Sequence, residues 1–154
     1  MTMEMSKQLK CMLSVDDLPL FERAAVFATV AHRGGTRKGS RIPYLVHPME
    51  VAAIVAEMTD DQELIAAAVL HDVVEDTDVT LPELQEFFGG RIAFYVACES
   101  EDKRPELPPE STWRLRKEEA IAFLRNRADR SAKMLALADK LSNMRDIDRD
   151  YPVL

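Results

Sequence analysis

The stretch that most limits what this chain can become is residues 64–76, LIAAAVLHDVVED. Leu64, Ile65, Ala66, Ala67, Ala68, Val69 and Leu70 leave a helix no polar face, and such a helix belongs inside the protein. The apolar run passes without interruption into His71, Asp72, Glu75 and Asp76. Burying that many ionisable groups is costly unless a counter-charge compensates, and a metal cation is the natural one. In a continuous helix, Glu75 lies four residues after His71 and Asp76 four after Asp72, so each pair shares a face. One His-Asp pair can then grip an ion while two carboxylates one turn later face whatever is bound there. The competing reading is an acidic helix end fraying into solvent. An isolated His-Asp dipeptide says almost nothing, so the weight rests on the apolar segment before it and on the settings of the other two histidines.

The 154 residues fit one domain, 1–154, with a core of its own. Only 5 glycines and 6% aromatics, against 47% hydrophobic residues, predict an all-α fold. A net charge of −7 excludes general binding to nucleic acid polymers, which needs a basic face, but allows a small anionic ligand with a local basic site. Cys11 and Cys98 form no CxxC pair, which points to a reducing cytosol. No signal peptide and no membrane-spanning run is visible, so a soluble cytoplasmic protein with no membrane partner is expected.

Residues 1–15 read as a lead-in. Asp16 and Asp17 are expected to cap a helix with Pro19 in its first turn, running to about His32. Residues 33–46, RGGTRKGSRIPYLV, read as a loop carrying Arg33, Arg37, Lys38 and Arg41. Four cations just before His47 look like an anion-binding rim, although any one of them alone would be a solvated charge. Pro48 marks the start of a helix with His47 at its edge, and Asp60 and Asp61 open the helix of residues 64–76. Thr80 and Glu83 form a capping box for a short helix ended by Gly89 and Gly90, and another helix follows to about Glu99. Residues 100–111, with Pro105, Pro108 and Pro109, read as irregular, bearing Glu101, Asp102 and Lys103. Ser111 is expected to cap a helix to about Arg127, with Arg114, Arg116 and Lys117 on a solvated face. The last helix, from about Ser131, is apolar until Asp139 interrupts it, as His71 and Asp72 interrupt the central one. That repetition makes Asp139 a fourth ligand, against the plainer reading of a salt bridge.

Two imidazoles and two carboxylates, His47, His71, Asp72 and Asp139, form a nitrogen and oxygen set suited to one Mn²⁺, Fe²⁺ or Zn²⁺. His32 is read as structural or loop-orienting. A single divalent ion with open positions would polarise a phosphoryl oxygen, Glu75 and Asp76 would take a proton from the attacking water, and the basic loop would hold the remaining phosphates. This chemistry is hydrolysis of a phosphoester or pyrophosphate.

The set His47, His71-Asp72, Asp139 resembles the signature of the HD-domain metal-dependent phosphohydrolases, an all-helical superfamily. Within it, RKGSRIPYLVHP, LHDVVEDT, the downstream EDK and ADKLSNMR resemble the hydrolase domain of RelA/SpoT-type enzymes and, by length, the single-domain small alarmone hydrolases. The likeness runs from about Ala31 to Arg145. It implies an HD-domain helical bundle that hydrolyses the 3′-pyrophosphate of ppGpp or pppGpp, alarmones of the stringent response, to GDP or GTP and pyrophosphate with Mn²⁺ bound. The matching residues imply metal ligation by His47, His71, Asp72 and Asp139, service of the water by Glu75 and Asp76, nucleotide contact by Arg37 and Lys38, and Asn143 beside the base and ribose. Arg41 joins the basic rim.

The chain departs from the pattern in three places. Gly39-Ser40-Arg41 makes the spacing from the basic pair to His47 one residue longer than in the long bifunctional enzymes. Ser142 stands where many relatives have an aromatic residue or His. Leu154 follows soon after the last motif, so the family's further helices are expected to be missing and a pocket wall to be incomplete or lent by another subunit of a homo-oligomer. Two other readings stay open: an HD phosphohydrolase acting on a deoxynucleotide or NADPH, and a non-catalytic nucleotide-binding regulatory domain.

Overall fold

The computed structural model describes residues 15–150. Apart from Val15, the lead-in expected at residues 1–15 lies outside them, as do Cys11 and Leu154. A 3₁₀ turn, Val15–Asp17, is followed by α1 (Leu20–Ala31), α2 (Val46–Met58), α3 (Gln62–Leu70), α4 (Val73–Asp76), α5 (Leu81–Phe88), α6 (Gly90–Glu99), α7 (Pro109–Asn126) and α8 (Arg130–Asp150). The described residues contain no strand, and the fold is all-α as expected. One isolated antiparallel bridge joins Thr36 to Pro43. No helix among the described residues is long and apolar enough to cross a membrane.

The all-apolar segment lies at the centre. Every residue of 64–70 except Ile65 is fully buried, and α3 packs against α1, α2, α6 and α8. Ala66, Ala67 and Ala68 present only methyl groups, which lets neighbouring helix axes come close; Ala24 and Ala28 of α1 are likewise fully buried. The larger side chains Leu64, Val69 and Leu70 then close the core with Val51 and Val55 of α2, Ile92 and Val96 of α6, and Leu135 of α8. α7 stands at the periphery. Only Thr112 on it is buried, and Trp113, Leu115 and Ile121 are exposed.

Two helix starts differ from the sequence reading. Asp16 and Asp17 lie in the 3₁₀ turn, and Pro19 occupies the N-cap of α1 with no side-chain cap bond. The cause is steric: the ring disfavours helical geometry at the residue before it, so the helix begins only after Pro19. In the same way α7 begins at Pro109, with Pro108 at its N-cap, two residues before the expected cap Ser111. Proline at the first helical position needs no amide partner and has its φ already set. The Ser111 hydroxyl donates instead to the Pro108 carbonyl at 2.7 Å.

The other caps form as read. The Asp61 carboxylate accepts from the amides of Glu63 and Leu64 at 3.1 and 3.2 Å and starts α3. The capping box of Thr80 and Glu83 is complete. Gly89, at φ 89°, ends α5 and opens α6, a backbone conformation open in practice to glycine alone.

Asp61 also pairs with Arg91, and this guanidinium, aided by the cap amides, pulls its carboxyl down to about 2. A depressed carboxylate contributes stability that is present above its ordinary pKa and is lost as the pH falls through the folded value. Asp61→Ala should therefore cost about 1 kcal/mol at neutral pH. In urea denaturation, the gap between variant and wild type should narrow as the pH falls from about 4 towards 2.

Candidate active site

The site begins where α3 ends. The sequence predicts one continuous helix through residue 76, but the backbone breaks at His71 and Asp72, and Asp72 takes φ −99° and ψ −3° before α4 starts. At that break the His71 Nδ1 lies 2.7 Å from the carbonyl oxygen of Ala68. The same carbonyl accepts from the His71 amide at 3.4 Å, so ring and amide of one residue share the acceptor at the helix end. A carbonyl only accepts, so Nδ1 carries the hydrogen and, in the neutral ring, Nε2 keeps its lone pair. That Nε2 is buried with no hydrogen-bond partner.

Three further side chains arrive at the same place. His47 comes from the first turn of α2 and Asp139 from the middle of α8, both buried. The His47 Nε2 lies 3.1 Å from Asp139 Oδ1 and 3.4 Å from Asp72 Oδ2. The His71 Nε2 lies 3.0 Å from Asp72 Oδ2 and 3.4 Å from Asp139 Oδ1. One ligand atom each from His47, His71 and Asp139 fits within a 4.8 Å span, and Asp72 reaches both imidazoles from the other side.

The electrostatics of the cluster are set by mutual compensation. Burial alone would push both imidazoles down, but Asp72 and Asp139 outweigh it and hold His47 and His71 above their ordinary value. Burial alone would push the two carboxyls up, but the histidines hold both well below the carboxylate range. Imidazole lone pairs that face carboxylate lone pairs repel unless a cation sits between them, either protons on the rings or one metal ion. The orphaned His71 Nε2 and the mixed nitrogen and oxygen donors fit a divalent ion. Outside the cluster, the His47 Nδ1 meets the buried Ser142 hydroxyl at 2.9 Å, and Lys140 Nζ lies 2.6 Å from the second oxygen of Asp139.

Glu75 and Asp76 stand on the single turn of α4, and the Asp76 amide bonds back to the Asp72 carbonyl at 2.9 Å. Lys103, from the irregular segment before α7, lies 3.4 Å from a carboxylate oxygen of each. Burial raises the Glu75 carboxyl above its ordinary value and Lys103 opposes that rise. Arg33 and Asp76 share the wall of a cavity of about 520 Å³. A cavity of about 690 Å³ has Glu99 and Lys140 in its wall.

The basic loop is divided in its behaviour. Its turn is closed by the Ser40 amide on the Arg37 carbonyl at 3.1 Å, with Gly39 at φ 75° in the position where a type II turn demands a positive φ. Arg33, Lys38 and Arg41 are exposed, whereas Arg37 folds back onto α8. Its Nε donates to Asp146 Oδ2 at 2.7 Å and its Nη2 to Asn143 Oδ1 at 3.0 Å. Asn143 in turn donates to Asp139 Oδ1 at 3.0 Å, so a chain of polar contacts joins the basic loop to the cluster. His32 is outside the cluster. Its ring packs 4.9 Å from Tyr44, and burial lowers its pKa, in line with an orienting role.

Several participants escaped the sequence reading. The Tyr44 hydroxyl donates to Asp72 Oδ2 at 2.5 Å, and nothing about a tyrosine in a loop signals that. Glu99, read as part of a packing helix, has its carboxyl pushed up to about 7 by burial and by Asp139. Ser142 and Asp146 could have been found: they follow Asp139 at helical spacings of three and seven and share its side of α8.

Residues 24–152 match the HD domain family. The chain is 41% identical over 130 residues to the guanosine-3′,5′-bis(diphosphate) 3′-pyrophosphohydrolase MESH1 of Danio rerio, covering 82% of this chain and 68% of that protein. It is 39% identical over 132 residues to the Homo sapiens protein of the same name, covering 84% and 70%. Its fold resembles a solved structure described as a metazoan ortholog of SpoT that hydrolyzes ppGpp, with a TM-score of 0.74 and 31% identity over 85% of this chain and 71% of that one.

Lys103 is the cation that opposes the burial of Glu75, so its removal has a defined sign. Lys103→Ala should raise the Glu75 pKa further, read from the side-chain carboxyl resonance in an NMR pH titration.

Proposed function

The chain belongs to the HD-domain family, and from that premise we propose that it is a metal-dependent hydrolase removing the 3′-pyrophosphate of ppGpp or pppGpp to leave GDP or GTP. The observation that supports this reading is the grouping of His47, His71 and Asp139, with Asp72 within 3.4 Å of both imidazoles and Glu75 and Asp76 on the turn that follows. The relatives named for this activity, similar over most of the chain, supply the guanine nucleotide and the 3′ position.

In this reading His47 and His71 through Nε2, with Asp72 and Asp139, hold one divalent ion, Mn²⁺ before Fe²⁺ or Zn²⁺. When bound, the ion supplies Lewis-acid polarisation of a phosphoryl oxygen and lowers the pKa of water. Glu75 and Asp76 take the proton of the attacking water; the raised pKa of Glu75 brings that base nearer to neutral pH. The water oxygen forms the new bond to phosphorus, the bond from phosphorus to O3′ breaks, and O3′ leaves with a proton as the ribose hydroxyl. Arg37, Lys38 and Arg41 pair with the phosphates, and Asn143 sits beside base and ribose. Because Arg37 already lies against Asn143 and Asp146, part of the entropy of ordering that long side chain is lost before substrate arrives.

Incubation of the protein with Mn²⁺ and a panel of ppGpp, GTP, dGTP and NADPH tests this, with GDP and pyrophosphate as the expected products. Orthophosphate from dGTP or NADPH, with ppGpp untouched, would overturn the substrate assignment. Asp72→Ala should abolish metal binding in calorimetry. Glu75→Ala and Asp76→Ala should keep the metal while turnover falls by about 10²- to 10⁴-fold, and full activity in both would remove them from the mechanism.

A further inference from the structure

We propose that Tyr44 is a positioning residue that fixes Asp72 through its hydroxyl and Arg37 through its ring, tying the metal ligands to the substrate-holding arm. This role rests on the metal-dependent reading above.

Tyr44 is itself held firmly. Its amide donates to the Gly35 carbonyl at 2.9 Å, its carbonyl accepts from the His47 amide at 3.0 Å, and the bridge between Thr36 and Pro43 closes the loop beside it. The residue thus sits at the joint between the basic loop and the first turn of α2, one end of which carries Arg37 and the other His47. Its ring packs against His32 at 4.9 Å and meets the His47 ring edge-on at 6.0 Å. On the face of the same ring lies the Arg37 guanidinium, 5.6 Å from the centroid.

The hydroxyl points the other way, to Asp72 Oδ2. That is the same oxygen that faces both imidazoles, hence the one aimed at the centre of the cluster. A carboxylate oxygen has two lone pairs, so it can accept from the phenol and still ligate an ion. At the N-cap of α4 the Asp72 side chain accepts from no cap amide, and the phenol supplies a constraint on it. A carboxylate only accepts, so the phenol hydroxyl is the donor of this bond. One rigid side chain with two faces of contact therefore sets both the carboxylate and the cation. A tyrosine that merely filled space would have no need of its hydroxyl.

Two variants separate the two contacts. Tyr44→Phe keeps the ring and removes only the hydroxyl; Tyr44→Leu removes both. In calorimetric titration of Mn²⁺ into the protein without nucleotide, both should bind about 10- to 100-fold more weakly than wild type, the usual cost of losing a group that orients a ligand. At saturating Mn²⁺, KM for ppGpp should stay within about 2-fold of wild type in Tyr44→Phe. In Tyr44→Leu it should rise by about 3-fold or more as the stacking on Arg37 is lost. Unchanged Mn²⁺ affinity in Tyr44→Phe would overturn the proposal, and so would an equal rise of KM in both variants. A wild-type protein that takes up no Mn²⁺ would instead overturn the metal-dependent reading on which the role rests.

Discussion

The structure is arranged around two imidazoles that face two carboxylates. The Nε2 atoms of His47 and His71 and the inward oxygens of Asp72 and Asp139 crowd together at 3.0 to 3.4 Å in a largely buried place. With neither protons on the rings nor a cation between them, such a cluster would be unstable in an apolar interior, because like dipoles repel and water is not there to screen them. A cation turns the same crowding into attraction. The polarity of the centre is therefore evidence of purpose: a core designed only for stability would be better filled with hydrocarbon.

The surrounding helices explain how such a cluster is held. α3 presses a nearly featureless apolar rod into the middle of the molecule, and its small side chains let α1 and α2 approach closely. The rod then ends abruptly, and the end is what makes the site. His71 sets one ring nitrogen against the Ala68 carbonyl and thereby commits the other to the interior. α8 crosses α2 and brings Asp139 to the same depth, while Ser142, on the adjacent strip of α8, fixes the far side of the His47 ring. Each ligand is thus oriented by a contact behind it, which is how rigid ligand geometry is generally obtained.

From the cluster, polar contacts run outward along Asp139, Asn143 and Arg37 on one side and Asp72 and Tyr44 on the other, and both routes meet at Arg37. The remaining cations of the loop stay in solvent. Arg37, nearest the cluster, is ordered by its partners on α8, while Arg33, Lys38 and Arg41 are exposed. Lys103 lies 3.4 Å from a carboxylate oxygen of both Glu75 and Asp76, so neither carboxylate is unopposed.

Residue spacing alone carried much of this. An all-apolar run that turns abruptly ionic, a second apolar helix interrupted by Asp139, and a capping box at Thr80 and Glu83 are local patterns, and local patterns are written in sequence. So the helical class, the buried central segment and the grouping of His47, His71 and Asp139 were legible there. The break of the central helix at His71 was not legible: the ring contact there is to a carbonyl only three residues back, and an uninterrupted helix fits the same residue spacing. Nor could it foretell Tyr44 on Asp72 or Arg37 on Asp146, contacts between residues 28 and 109 positions apart. Periodicity reports which face a residue occupies; it holds no information about which distant residue will stand opposite, since that is settled by how the helices cross.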